Sequence, residues 1–313
     1  MSHFIQKFID WNDSERSEKV QKFLKDGPVI VKGKEDYKLE RYIESGTFGD
    51  VFISGDKAIK ISDTRDINLR EAYASKLLSE KCEQYLVGLH EAFMYTIDGE
   101  TWLIQVQDLM DVTLAYLTLN YENLCNLMVF LLRAVNCLHQ NGFAHMDIKS
   151  DNIFYKGTCL KLGDLSLVCT DKEKTGRMAG KDITIETCKY MTTYTPPKFH
   201  GRKVISFEEA QEIDLWAIGV VLYRKTMSTY KLDARTSLKL GNTTMNSLSG
   251  NNPFGLRSGD KIPVKMLSPP KTGPIPVDVY ERVLSMLLNE NNPTSARVVL
   301  DFLNPYITQL PTC

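Results

Sequence analysis

Charged and amide side chains crowd between apolar positions in residues 142–154, which read GFAHMDIKSDNIF. Asp147 and Asn152 are five positions apart, and Asp164 follows twelve positions after Asn152 in LKLGDLS. Two carboxylates and an amide oxygen on loops suit phosphoryl transfer, in which one carboxylate accepts a hydroxyl proton and the other two groups bind magnesium. Lys149 would reach the transferred group as a point charge. Each acid taken alone is more often a turn or cap residue.

A second group of residues suited to phosphate binding lies upstream in IESGTFGDV, residues 43–51. Gly46 and Gly49 would allow backbone amides to approach a phosphate closely. Lys60 ends the apolar segment KAIK, and Glu71 follows eleven positions later, where it could form an ion pair with Lys60. A glycine hairpin alone is usually only a turn, and a strand lysine is usually solvated. These features therefore indicate phosphate binding only in combination with the downstream acids.

The elements that must position these residues fall into two zones. From Tyr37 to about Gln107, segments rich in β-branched and aromatic residues predict strands, with one helix in DINLREAYASKLLSE. After Asp108 the pattern is mostly helical. Strands first and helices later predict an α+β chain with a small sheet lobe and a larger helical lobe. The predicted regions are a helical extension at 1–36, the sheet lobe at 37–108 and the helical lobe at 109–313.

The N-terminal extension is predicted from apolar side chains at helical spacing in residues 1–26, which Gly27-Pro28 terminates. It would pack on the main body, or serve self-association or docking of a partner protein. Residues 228–275 are rich in Ser, Asn, Gly, Pro and Lys, which predicts mostly loop.

Composition argues against several other classes of protein. The net charge is −1, so we expect neither direct nucleic-acid binding nor attraction to an anionic membrane. The longest apolar run is too short to span a bilayer, and the N-terminus carries an acid too early for a signal peptide. Seven cysteines without a CxxC spacing predict reduced thiols rather than disulfides or a zinc site. The expectation is an intracellular protein of the cytoplasm or nucleus, in a host cell if the chain is viral.

Together these motifs resemble the eukaryotic-type protein kinases along roughly residues 38–303. The resemblance implies a two-lobed kinase fold that transfers the γ-phosphoryl group of ATP to Ser or Thr of protein substrates. It makes Asp147 the catalytic base, with Lys149 at the transferred phosphoryl group. It makes Lys60 the lysine on the α- and β-phosphates, held by Glu71. Lys149, two positions after the aspartate, resembles the serine/threonine branch.

The resemblance also implies the remaining site residues. Asn152 and Asp164 become the ligands of Mg²⁺, with Mn²⁺ as a substitute, and Asp214 in EIDLWAIG would anchor the catalytic-loop backbone. Adenine would lie between Ala58 and Phe154. The complete set of implied ATP-binding positions is Ile43, Glu44, Ser45, Gly46, Thr47, Phe48, Gly49, Val51, Ala58, Lys60, Gln107, Asp108, Met110 and Phe154.

Three departures from the family pattern lie at the edges of the site. Glu44 stands where the first loop glycine is usual, and Asp164–Ser166 reads Asp-Leu-Ser in place of Asp-Phe-Gly. Residues 196–198 read Pro-Pro-Lys in place of Ala-Pro-Glu, and Asn292 stands where the arginine partner of that glutamate is usual. Joint loss of both partners is easier to accommodate than loss of one. Lys198 is then expected to be solvated.

The fourth departure is Met146, where the family's arginine binds a phosphate on the activation loop. Methionine cannot form that contact. We therefore predict activity that does not depend on phosphorylation of the activation loop. In its departures from the family pattern and its N-terminal extension, the chain resembles kinases of large DNA viruses.

Two alternatives to an active protein kinase follow from the same motifs. A nucleotide-binding pseudokinase scaffold would typically lack one of the phosphoryl-transfer residues, all of which are present here. A small-molecule kinase of the aminoglycoside or choline type shares the His-x-Asp, Asn and Asp core. Lys149, the segment of roughly thirty residues from Asp164 to Lys198, and DLWAIG argue against it. Asp151 is either a reader of basic substrate residues or a solvated acid, whereas Arg224 falls where a second such acid is usual.

Overall fold

The computed structural model describes residues 29–33, 35–46, 49–97, 99–188, 194–199, 202, 204–230, 264–266, 268–289 and 294–307. The chain divides into two compact units. The described residues within Met1–Ser79, Val87–Met110 and Thr175–Thr184 form the sheet unit. Those within Glu80–Leu86, Asp111–Lys174 and Ile185–Cys313 form the helical unit.

The sheet unit contains a two-stranded and a five-stranded antiparallel sheet. The small sheet pairs β1 (Val29–Lys32) with β2 (Glu35–Lys38). The large sheet has the order β3-β4-β5-β7-β6, made of β3 (Arg41–Gly46), β4 (Gly49–Ser54), β5 (Lys57–Ser62), β6 (Leu89–Ile97) and β7 (Glu100–Asp108). Helix α1 (Asp66–Leu78) lies between β5 and β6 in the chain. Phe52, Ile59 and Ile104 lie in the buried apolar core of the sheet unit.

The first strands correct the prediction of a helical extension over residues 1–36. Val29–Lys32 and Glu35–Lys38 are strands, because the run Val-Ile-Val favours extended backbone and Gly33 turns the chain at a φ of 65°. The predicted helix at 1–26 lies outside the described residues.

The helical unit is built around long helices. Its strands are short: β8 (Val112–Thr113), β9 (Phe143–Ala144), β10 (Ile153–Lys156), β11 (Cys159–Leu162) and β12 (Cys169–Thr170). Its helices are α2 (Tyr121–Gln140), α3 (Phe207–Thr229), α4 (Val277–Leu287) and α5 (Ala296–Ile307). Asn120 caps α2, and a capping box of Ser206 and Glu209 begins α3. None of the helices in the described ranges is both long and apolar enough to cross a membrane.

The boundary between the units lies close to the predicted one but not at it. The sheet unit ends at Met110 rather than at residue 108, and residues 80–86 belong to the helical unit. Leu162 donates a backbone hydrogen bond to Tyr85 at 2.8 Å, which ties that segment to β11. Residues 175–184 belong to the sheet unit, although the sequence placed them in the helical lobe.

Residues 174–185 form a β-hairpin that the sequence analysis did not predict. Strand β13 (Lys174–Met178) pairs with β14 (Lys181–Ile185). Ala179 and Gly180 connect them with φ of 50° and 83°. Two positive φ values are what a tight hairpin turn requires.

The cysteines correct the prediction of reduced thiols. Cys82 is disulfide-bonded to Cys137, Cys169 is bonded to Cys188, and Cys159 is disulfide-bonded as well. The Cα–Cα distances of 6.0 Å for Cys82–Cys137 and 4.9 Å for Cys169–Cys188 suit a disulfide. Sequence spacing carried no signal, because the partners lie 55 and 19 positions apart. Cys125 is the free thiol in the described part of the chain, and it is buried.

Candidate active site

The predicted catalytic loop begins at a buried anchor on α3. Asp214 accepts hydrogen bonds from the backbone N–H groups of His145 and Met146, both at 2.8 Å. His139 Nε2 lies 2.9 Å from the same carboxylate. Met146 has a φ of 67°, which non-glycine residues rarely adopt. The anchor therefore stabilises a strained backbone at the start of the loop, and the predicted contact of Asp214 with this backbone is confirmed.

Asp147, Lys149 and Asn152 form one cluster within the helical unit. Asp147 is 4% exposed. Lys149 Nζ donates to Asp147 Oδ2 at 2.6 Å, and Asn152 Nδ2 donates to the same oxygen at 3.0 Å and to the Asp147 carbonyl at 2.9 Å. Both side-chain bonds go to Oδ2, so Oδ1 receives none from the described residues. The geometry leaves one carboxylate oxygen available to a substrate hydroxyl.

Lys149 is held in its cationic form by neighbouring acids. Burial opposes its charge, but the hydrogen bond to Asp147 and the charges of Asp147, Asp164 and Asp151 outweigh burial and raise the pKa of Lys149. The ammonium group therefore stays charged at neutral pH.

Asp164 follows β11 after one glycine. Its φ of 60° lies in the left-handed region, which aspartate tolerates better than most residues. Gly163 N–H donates to the Asn152 carbonyl at 2.9 Å, so the backbone ties the segments of the two predicted metal ligands together. Leu165 is buried, as an apolar replacement for the usual phenylalanine requires.

The donor set of Asn152 and Asp164 fits a magnesium ion. No group of three or more His, Cys, Asp and Glu side chains in the described ranges could hold a metal. Magnesium is usually bound by one or two carboxylates together with substrate phosphates rather than by a complete protein cage. Asn152 uses its amide nitrogen on Asp147, which leaves its carbonyl oxygen as a hard donor.

In the sheet unit, Lys60 and Glu71 form the ion pair that the sequence predicted. Lys60 Nζ lies 2.7 and 2.6 Å from the two carboxylate oxygens of Glu71. Their side chains are 11% and 3% exposed. Helix α1 supplies Glu71 and strand β5 supplies Lys60, so this charge pair joins two elements of one unit.

The predicted glycine-rich loop is the β3–β4 hairpin. Gly49 favours glycine, because its φ of 155° is rare for other residues and a Cβ there would be tight, at 3.0 Å from the Ile61 carbonyl and 3.2 Å from Lys60 side-chain atoms. Gly46 pairs with Gly49 across the hairpin. Thr47 and Phe48 lie outside the described residues, as do the side chains of the other predicted loop positions, Glu44 and Ser45.

The other predicted nucleotide positions are distributed over both units. The register places Val51 opposite Lys60 and Ala58 opposite Gln107 in the large sheet. Ile43 is half-buried on β3, and Phe154 is half-buried on β10 in the helical unit. Their contacts with a nucleotide remain predictions.

Asp108, one of the predicted hinge residues, has a structural task. Its carboxylate accepts from Gly88 N–H at 3.0 Å, and its second oxygen lies 2.9 Å from His90 Nε2. Its own N–H donates to the Gly88 carbonyl at 3.0 Å. The side chain thus holds the start of β6, while Met110 ends the sheet unit beside it.

Lys198 corrects the expectation of a solvated side chain. Its Nζ lies 2.5 Å from Glu212 on α3, and it contacts the ring of Phe199. Lys198 therefore pairs with an acid on α3, whereas the family's arginine is usual at the position of Asn292. Arg224, the departure at the predicted substrate-reading position, donates to the hydroxyl of Tyr194.

Residues 37–262, more than half of the chain, match the protein kinase domain family, and the chain belongs to that family. It is 33% identical over 111 residues to serine/threonine-protein kinase Nek9 of Xenopus laevis, which covers 35% of this chain and 11% of that protein. It is 24% identical over 211 residues to serine/threonine-protein kinase Nek11 of Mus musculus, covering 60% and 31%. It is 27% identical over 200 residues to a probable serine/threonine-protein kinase of Encephalitozoon cuniculi, covering 60% and 35%. The matched region spans about a third or less of these relatives.

Proposed function

We propose that this chain is a serine/threonine protein kinase that transfers the γ-phosphoryl group of ATP to Ser or Thr hydroxyls of protein substrates. The observation that carries the proposal is the Asp147 cluster, a buried carboxylate with one oxygen held by Lys149 and Asn152 and the other available. Membership of the protein kinase family and the similarity to serine/threonine kinases support it.

In this mechanism Asp147 Oδ1 orients the substrate hydroxyl and accepts its proton. Lys149 stays protonated beside Asp147 and stabilises negative charge on the transferred group. Asn152 and Asp164 would hold the metal ion, and bound Mg²⁺ supplies positive charge that offsets the charge of the phosphates. Catalysis by these residues is mainly positioning and electrostatic stabilisation.

Lys60 is assigned to the α- and β-phosphates of the same nucleotide. Glu71 supports this role because its bidentate contact restricts the position of the lysine ammonium group. The assignment of Lys60 and the Asp147 cluster to one ATP molecule rests on family membership.

We further propose that activity does not depend on phosphorylation of the activation loop. Met146 is buried in an apolar cluster with Cys169, Cys188 and Phe199. Apolar packing therefore occupies the position from which an arginine would bind a phosphate. This packing supports a loop that is ordered without modification.

The test of the proposed activity is transfer of labelled phosphate from ATP to a degenerate peptide array. We expect Mg²⁺-dependent labelling of peptides that contain Ser or Thr, and none of peptides that contain only Tyr as acceptor. ATP binding without any labelling would instead favour the pseudokinase scaffold.

A further inference from the structure

The first residues of strand β13 in the β13–β14 hairpin contact helix α1 within the sheet unit. Tyr73 on α1 donates its hydroxyl hydrogen to the backbone carbonyl of Thr175 at 2.9 Å. Tyr73 is 8% exposed and Thr175 is exposed, so the hydrogen bond is partly buried. The hairpin belongs to the activation segment, which lies between Asp164 and Lys198 in the protein kinase pattern.

The absence of a side chain at Gly176 leaves room for the Tyr73 ring. A Cβ on Gly176 would lie 2.1 Å from the Tyr73 hydroxyl oxygen and 2.5 Å from the ring carbon that bears it. Gly176 does not have a positive φ. Its backbone would therefore accept alanine, and glycine is needed there for space rather than for conformation. The tyrosine ring lies directly on the backbone of β13.

The same helix carries the ion pair of the candidate site. Glu71 and Tyr73 are two positions apart on α1, and both are buried. Helical side chains two positions apart project about 200° apart, because an α-helix has 3.6 residues per turn. Glu71 contacts Lys60 on one side of α1, and Tyr73 contacts the hairpin on another. Two contacts on different sides determine the rotation of a helix about its axis.

We propose that Tyr73 is a positioning residue, which latches the activation-segment hairpin onto α1 and holds α1 in the rotation that brings Glu71 to Lys60. The latch uses a backbone carbonyl and a glycine, so it needs no phosphorylated side chain. Its catalytic consequence rests on the proposed kinase function, whereas the latch itself is a contact that can be measured without ATP.

Hydrogen exchange of backbone amides in the full chain, measured by mass spectrometry without nucleotide, tests the latch. Tyr73→Phe removes the hydrogen bond and keeps the ring. We expect exchange in β13, β14 and α1 to become about five-fold faster, the factor that one ordinary hydrogen bond contributes. Tyr95→Phe is the matched control, since Tyr95 packs on the core of the same unit through its ring. Thr175→Ala is a second control, because it keeps the carbonyl acceptor.

Gly176→Ala tests the same contact from the hairpin side. It should increase exchange in the hairpin more than Tyr73→Phe does, because the new methyl group collides with the ring. In a Tyr73→Ala background the methyl group has room, so Gly176→Ala should then add no further increase. Unchanged exchange in both Tyr73→Phe and Gly176→Ala would overturn the latch.

Kinetics of the same variants separate a positioning role from a merely structural one. Tyr73→Phe should lower kcat about five-fold and leave KM for ATP nearly unchanged, since the lost alignment acts in the transition state. Faster exchange with wild-type kcat would overturn the positioning role. If the wild-type chain transfers no phosphate but exchange changes as expected, the latch stands and the proposed function fails.

Discussion

Lys60 and Glu71 stabilise each other more than an exposed pair would, because both side chains are largely removed from water. Their bidentate contact at 2.6 and 2.7 Å joins β5 to α1. Removing one partner of a buried pair typically costs about 3 to 5 kcal/mol, whereas exposed pairs contribute about 1 kcal/mol or less.

Lys60→Met should therefore abolish phosphoryl transfer and also lower the free energy of unfolding by about 3 kcal/mol, because it takes the cation away from a buried carboxylate. The double variant Lys60→Met/Glu71→Gln should recover most of the stability and none of the activity. Chemical denaturation and a transfer assay measure the two effects. Equal stabilities of the single and double variants would contradict the pairing argument.

The side chain of Met146 packs in an apolar cluster and carries no charge, which leads to a prediction about regulation. Treatment with phosphatase should leave the rate of transfer within about two-fold of the untreated enzyme, because no activation-loop phosphate has an arginine to bind at this position. The single variants Thr175→Ala and Thr184→Ala in the hairpin should likewise keep a rate of transfer within about two-fold of the wild-type enzyme. A loss of most activity after phosphatase treatment would show that the loop depends on a phosphate.

Among the elements, α3 anchors the catalytic loop, because its Asp214 carboxylate binds the loop backbone. Asp214 supplies two charge-assisted hydrogen bonds to consecutive N–H groups, one of them at a residue with positive φ. Hydrogen bonds to charged groups contribute about 1.5 to 3 kcal/mol each.

Asp214→Asn should lower the free energy of unfolding by about 2 to 4 kcal/mol and reduce kcat, because an amide group can accept at one oxygen only and its NH₂ faces an N–H donor. Glu212→Gln on the same helix is the matched control. Its ion pair with Lys198 is partly exposed, so it should cost about 1 kcal/mol or less. Thermal unfolding and steady-state kinetics compare the two. Equal losses would show that Asp214 has no special role at the loop.

Local sequence pattern predicted these elements unevenly. Strand β5, helix α1 and helix α3 were predicted from their residue content, and the structure contains all of them. The hairpin β13–β14 was missed because polar Thr, Arg, Lys and Asp interrupt its alternation. The pair Ala179-Gly180 was a weak signal of its turn, since alanine is unusual at positive φ. The Tyr73–Thr175 contact spans 102 positions, so no local pattern could reveal it.

For the chain as a whole, the cysteines are what sequence reasoning got wrong. The absence of a paired spacing predicts reduced thiols, but cysteine pairing depends on distances that only the folded chain defines. The roles of Asp147 and Lys60 came from resemblance rather than from composition. The contacts around these residues, such as the use of a single Asp147 oxygen, required coordinates.

Reduction of the disulfides should destabilise the helical unit. The Cys82–Cys137 bond closes a loop across 55 positions, and a loop of this size gains about 4 kcal/mol in the chain-entropy description. We expect a lower Tm with reductant than without it. Cys137→Ser should have a lower Tm than wild type without reductant, and its Tm should change less when reductant is added. Cys125→Ala keeps the Cys82–Cys137 and Cys169–Cys188 disulfides, so its Tm should fall with reductant as much as that of wild type. A Tm independent of reductant would contradict a stabilising role for these bonds.

The central claim is that Asp147 performs the proton transfer of a phosphotransferase, and Asp147→Asn tests it most directly. Labelled ATP, a Ser/Thr peptide substrate and Mg²⁺ give the rate, while a separate binding measurement gives the affinity for ATP. Asp56→Asn is the matched control, because that carboxylate is 88% exposed on a turn. We predict that Asp147→Asn lowers kcat by a factor of about 10² to 10⁴ while ATP still binds, and that Asp56→Asn keeps wild-type turnover. Near wild-type turnover in Asp147→Asn would contradict the assignment.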